Sequence, residues 1–144
     1  MEVDLVIKSK WIVPVVPREQ VLTDHAIAIK DKKIFAIGPT ESINTQYQCT
    51  NITSLNNHIL IPGLVNAHGH APMALLRGSA DDIPLKEWLE EKIWPLEGKL
   101  VDRQFVFEGA TQAIAEMIRS GTTCFADMYF FPDEVAKASL AANL

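Results

Sequence analysis

Ile59-Leu60-Ile61-Pro62-Gly63-Leu64-Val65-Asn66-Ala67-His68-Gly69-His70 is the stretch on which the architecture turns. From Ile59 to Val65 apolar side chains occupy both alternating faces, the pattern of a strand covered on both sides in a parallel sheet. His68 and His70 follow at its C-terminal end, and side chains two apart on a strand share a face. Parallel-strand folds place their active sites at that end, and Gly69 leaves room there for backbone or ligand. Imidazole suits zinc, iron and related divalent ions. The same His-x-His spacing also arises in hydrogen-bonded polar pairs, so the spacing alone leaves both readings open.

Working downstream, Arg77 to Gly98 reads as an irregular segment with Pro84 and Pro95 and a short amphipathic piece around Lys86 to Ile93. It is long enough for a functional βα loop. Asp102 is a candidate N-cap, after which Val106, Ala110, Ala113, Ile114 and Met117 recur at helical spacing until Ser120-Gly121 stops the helix. Thr122 to Ala126 reads as a second short buried strand. Pro132 then opens another helix, with Val135, Ala136 and Leu140 expected on one side. Strand, helix, strand, helix implies parallel βαβ units with right-handed crossovers.

Working upstream, residues 1 to about 60 are β-rich. Val3 to Val13 is a strand run ending at Pro14, and Ala26–Ile29 and Ile34–Ile37 flank the polar turn Asp31-Lys32-Lys33 as in a hairpin. Gln48 to Leu55 forms a further run, ending at Asn56-Asn57, a dipeptide that favours turns. The fold class expected is mixed α and β. Residues 1–59 form a small sheet or partial β-sandwich, and residues 60–144 form the first two β/α units of a (β/α)₈ barrel. A closed barrel takes on the order of 250 residues, so the architecture is expected to be incomplete within 144.

Composition narrows the function. With 48% hydrophobic and 22% charged residues the chain has the make-up of a globular protein. Its net charge of −5 carries no basic cluster, which argues against a nucleic-acid partner. No apolar run approaches the roughly 20 residues of a membrane span, and MEVDLVIKSK is unlike a secretory signal. Cys49 and Cys124 stand far apart and make no disulfide or zinc framework, which fits free thiols in a cytoplasmic protein. Gly-rich phosphate loops and a Gly-x-Ser-x-Gly elbow are both missing.

The histidine pair with its surroundings resembles the first metal motif of the amidohydrolase superfamily. HGHAPMALLRG, LKEWLEEKIWPLEGKL and SGTTCFADMYF extend that resemblance to the branch of 5-methylthioadenosine and S-adenosylhomocysteine deaminases, over essentially the whole chain. The resemblance implies a composite β-sandwich completed by strands from far along the chain, and a metal-dependent-hydrolase barrel. It further implies that His68 and His70 ligate one divalent metal, zinc first, with iron, manganese or nickel also suited. Glu97 corresponds to a residue that grips the ribose hydroxyls of a nucleoside, and Trp94, three residues before it, is the better pocket candidate of Trp94 and Trp88. The reaction implied is hydrolytic deamination of 5-methylthioadenosine, S-adenosylhomocysteine or adenosine, releasing ammonia from purine C6.

The family's further ligands and its acid/base glutamate have no counterpart after His70, so no catalytic acid or base is assigned within this chain and its place is expected beyond Leu144. The chain alone is therefore expected to be inactive, with a homo-oligomer or a complementing chain as possible partners of its exposed strand edges. Guanine deaminase and the triazine chlorohydrolases share the same plan and are the rival enzymes, and Glu97 favours a nucleoside. A catalytically silent truncated product is the rival of another class. Asp127, at the end of the second barrel strand, and Arg77, after the metal motif, are weighed as site residues and set aside. Asp81-Asp82 and Glu90-Glu91 read as solvated charge, and His25 and His58 as surface or turn residues.

Overall fold

The computed structural model describes residues 1–144, which divide into two compact units, Met1–Pro62 and Gly63–Leu144. In the first unit β1 (Leu5–Ile12), β2 (Leu22–Lys30), β3 (Lys33–Pro39) and β4 (Ile52–Leu60) form one sheet in the order β3-β2-β1-β4. The β1–β2 and β2–β3 pairs are antiparallel and β1–β4 is parallel. Asp31 and Lys32 close the β2–β3 hairpin with φ of 51° and 61°. Positive φ at both central positions gives the turn a twist that matches its strands.

Val6, Ala26 and Ala28 project from one face of this sheet onto Ile43 of α1 (Thr40–Gln46), with Val3 alongside. The sequence reading missed α1. Its residues TESINTQ bury only Ile43, and its N-cap, Pro39, offers no side-chain acceptor, so neither periodicity nor a capping signal announces it.

The Asn56-Asn57 turn expected from sequence is also corrected, because both residues lie inside β4. Ser9 pairs with Leu55 but Trp11 pairs with Ile59, so the β4 segment 56–58 bulges where β1 advances by Lys10 alone. The buried Ser9 hydroxyl lies 2.9 Å from the His58 carbonyl and 3.0 Å from that of Trp11, and donates into this irregularity. The two asparagines thus lie in a strand irregularity where sequence alone suggested a chain reversal.

The apolar run Ile59–Val65 is two elements rather than one. Ile59 and Leu60 end β4, Ile61 to Gly63 are irregular, and β5 (Leu64–Asn66) begins a separate parallel pair with β6 (Thr122–Phe125). Neither β5 nor β6 is covered as expected, since Val65 is 67% exposed and Thr123 and Cys124 are exposed. A two-stranded sheet has two open edges, and apolar side chains on an uncovered face stay wet whatever their pattern predicts.

The segment 77–98 is irregular only as far as Pro84, and its helical part is longer than the short piece expected around Lys86 to Ile93. After a 3₁₀ turn (Ala71–Leu76), helical backbone runs through α2 (Leu85–Glu87), a π-helical stretch (Trp88–Ile93) and α3 (Trp94–Leu100). Proline inside an α-helix lacks the N–H and presses on the carbonyl four residues back, here Glu91. The wider π turn lies immediately before Pro95 and relieves that pressure, so Pro95 does not break the helix.

α4 (Arg103–Arg119) has Asp102 as its N-cap, whose Oδ1 accepts from the Phe105 N–H at 2.8 Å, and Gly121 follows its end at φ 84°. Val106, Ala110 and Ile114 of α4 pack on Val135 and Ala138 of α5 (Pro132–Ala142). The buried side of α5 is thus not the one expected, for Ala136 is exposed and Leu140 is 80% exposed. The small Val135 and Ala138 fit against α4's alanines, while the larger Leu140 lies on the open side.

Candidate functional site

The loop that leaves β5 carries both histidines, and the loop that leaves β6 holds it in place. Ala126 N–H donates to the Asn66 carbonyl at 2.8 Å and Met128 N–H to the Gly69 carbonyl at 3.0 Å. The Ala71 N–H donates to Asp127 Oδ2 at 2.5 Å, and His70 Nδ1 lies 2.6 Å from the Met128 carbonyl oxygen. A carbonyl can only accept, so His70 Nδ1 carries the hydrogen, and in the neutral imidazole the free lone pair is then on Nε2. The His68 and His70 rings stand edge to face with centroids 5.2 Å apart.

Asp127 serves this loop directly. Partial burial raises its carboxyl above the ordinary value, against the lowering pull of the Ala71 N–H and of His70. Its hydrogen bond makes it a clamp on the turn after His70. Arg77 is likewise an anchor. Its Nη1 and Nη2 donate to Glu116 Oε1 and Oε2 at 3.1 and 2.7 Å, a two-pronged pair that ties the turn after the histidine pair to α4. Arg77 draws the Glu116 carboxyl down to about 2, with help from Gln112.

His68, His70, Trp94 and Glu97 all line one open cleft of about 690 Å³. Trp88 lines it too, and Trp94 is 53% exposed. Glu97 is not a free loop carboxylate, because its Oε1 accepts from the Tyr129 hydroxyl at 2.7 Å. Sequence reasoning missed Tyr129, although it lies in the quoted SGTTCFADMYF; its two-residue distance from Asp127 along the loop after β6 was the available signal. Burial first, then the hydrogen bond to Glu97 and the nearby carboxylates, push the Tyr129 phenol well above its usual range, so it remains an O–H donor. His25 lies in β2 and His58 in β4. Cys49 and Cys124 are free thiols.

The donor set suits a divalent ion in part. The two neighbouring imidazoles, one with its free nitrogen fixed by the Met128 carbonyl, are appropriate for zinc, iron, manganese or nickel. No third His, Cys, Asp or Glu joins them in a group that could hold a metal ion. A catalytic zinc usually has three protein ligands, one more than the two imidazoles found here. No helix is long and apolar enough to cross a membrane.

Residues 59–144 match the Amidohydrolase family, more than half of the chain, and the chain belongs to that family. It is 48% identical over 141 residues to a 5-methylthioadenosine/S-adenosylhomocysteine deaminase of Saccharophagus degradans, covering 98% of this chain and 32% of the relative. It is 43% identical over 141 residues to a 5'-deoxyadenosine deaminase of Methanosarcina barkeri, with the same 98% and 32% coverage. Among solved structures, an adenosine deaminase from Xanthomonas campestris with bound zinc matches with a TM-score of 0.93 at 44% identity, over 97% of this chain and 32% of that one. The chain therefore spans about a third of the length of the relatives it matches.

Proposed function

We propose that this chain contributes the first part of a metal-dependent hydrolytic deaminase acting on adenosine-type nucleosides, 5-methylthioadenosine and S-adenosylhomocysteine among them. The observation that carries this reading is that His68, His70 and Glu97 line one cleft, with Tyr129 holding the carboxylate. His68 and His70 would hold a divalent ion, zinc before iron, manganese or nickel. When bound, such an ion supplies Lewis acidity that lowers the pKa of water toward neutrality.

The chain's own residues supply binding and orientation. Met128 fixes the His70 tautomer through its carbonyl. Glu97 offers acceptor oxygens suited to two neighbouring hydroxyls of a ribose, which guanine and the triazines lack. Trp94 gives the cleft an exposed aromatic surface on which a base or sugar can pack. The remaining ligands and the proton-transfer carboxylate lie outside Met1–Leu144, in the same polypeptide or in a complementing one. On this reading β5, α4, β6 and α5 are the first two units of a (β/α)₈ barrel, the sheet of residues 1–59 is part of a composite β-sandwich, and the enzyme works in the cytoplasm.

Ammonia release from 5-methylthioadenosine, S-adenosylhomocysteine, adenosine and guanine tests the reading in the catalytically complete protein. Turnover of the adenosine compounds is expected, and a preference for guanine over all of them would overturn it. The purified 144-residue chain loaded with zinc is expected to release no ammonia. Release at a measurable rate would contradict the assignment of essential groups to residues outside it.

A further inference from the structure

Glu97 and His70 belong to different segments, yet both are held by adjacent residues of one loop. Met128 offers its carbonyl to His70 Nδ1 at 2.6 Å, and Tyr129 donates its hydroxyl to Glu97 Oε1 at 2.7 Å. The Tyr129 ring is fixed between neighbours, with centroids 6.4 Å from His70 and 5.2 Å from Phe130. A carboxylate on a helix surface ordinarily samples several rotamers. A single strong donor on one of its oxygens removes most of that freedom and leaves the other oxygen as the acceptor presented elsewhere.

We propose that Tyr129 is a positioning residue for substrate: by holding Glu97 Oε1 it presents the second carboxylate oxygen, Oε2, to the hydroxyls of a ribose in the cleft. This rests on the reading of Glu97 as the sugar-binding group. Tyr129 touches the carboxylate, not the reacting atoms, so its contribution is to binding and to discrimination between sugars. An oriented acceptor favours a substrate whose hydroxyl lies where it points, and a free carboxylate pays rotamer entropy at each binding event. The loop that fixes the metal-ligand candidate therefore also sets which sugar is preferred.

Adenosine and 2'-deoxyadenosine are the probes, and Tyr129→Phe, Glu97→Gln and the double variant are compared in the catalytically complete, zinc-loaded protein. Phenylalanine keeps the ring between His70 and Phe130, so the loop is retained. Tyr129→Phe is expected to raise KM for adenosine roughly ten-fold, the scale of one hydrogen bond to a charged group, with the change in KM rather than kcat. Most of the preference for adenosine over 2'-deoxyadenosine is expected to go with it. In the Glu97→Gln background the same substitution should add little, since the two act as one unit. If Glu97→Gln erodes the preference and Tyr129→Phe does not, the positioning role is overturned while the reading of Glu97 stands. If Glu97→Gln leaves the preference intact, both are overturned. A fall in kcat and in zinc content at unchanged KM would overturn it too, by moving the role of Tyr129 to the His70 side of the loop.

Discussion

His70 Nδ1 lies 2.6 Å from the carbonyl oxygen of Met128, so a backbone group of the loop after β6 chooses the tautomer of a side chain on the loop after β5. The unused nitrogen is Nε2, the one available to a metal. Replacement of His70 or of His68 by alanine is expected to weaken zinc binding by more than the roughly 10- to 100-fold that follows loss of an outer partner of a metal ligand. Competition with a chromophoric chelator measures it in the complete protein. Unchanged affinity in His70→Ala would reduce His70 to a structural partner of Met128.

Gly109 of α4 faces the turn that follows His70 at closest approach. A Cβ there would stand 2.5 Å from the Pro72 carbonyl oxygen and 2.8 Å from Pro72 Cα, both backbone atoms that cannot rotate away. Alanine is the better helix former by about 1 kcal/mol, which alone would stabilise α4. Overpacking of a fixed contact typically costs about 1–3 kcal/mol, so Gly109→Ala is expected to destabilise on balance. Denaturant unfolding reads the sign directly, and a raised midpoint would mean that α4 and the Pro72 turn can separate freely.

Asp102 closes the other end of the same helix, its Oδ1 accepting from the Phe105 N–H at 2.8 Å. Without that acceptor an N-terminal amide of α4 turns to water. Asp102→Ala is expected to lower stability by about 1 kcal/mol, and Asp102→Asn or Asp102→Ser to recover most of it. Equal losses in all of the variants would show that charge rather than hydrogen bonding matters at this cap.

The boundaries of α4 were legible because they rest on local chemistry: Asp102 before the first turn, apolar spacing through it, and Gly121 after it. The shared cleft of His68, His70, Trp94 and Glu97 could be anticipated from motif resemblance, though nothing in spacing alone brings residues 70 and 97 together. What escaped depended on partners distant in sequence. Asn56-Asn57 reads as a turn until β1 is seen to hold it as a bulge. Tyr129 gives no periodic signal, because its role exists only through Glu97. Burial of Ile59 to Val65 was overestimated for the converse reason, since apolar alternation records what a strand tolerates and not what lies over it.

Arg77 and Glu116 make the pH behaviour of the turn after the histidine pair specific. Glu116 is ordinarily protonated near 4.5, and the Arg77 hydrogen bond, seconded by Gln112, draws it down to about 2 in the folded chain. A carboxyl depressed on folding contributes stability that is fully present above its unfolded value and lost as pH falls through the folded one. The loss should therefore fall between about 4.5 and about 2, with no contribution to pH dependence near neutrality. Both side chains are substantially exposed, so the effect is small and shrinks with added salt. Arg77→Met is expected to flatten this part of the profile of melting temperature against pH at low salt, and to differ less from the parent in high salt. A profile that stays parallel to the parent's across that acid range would mean that solvent, rather than Arg77, sets the state of Glu116.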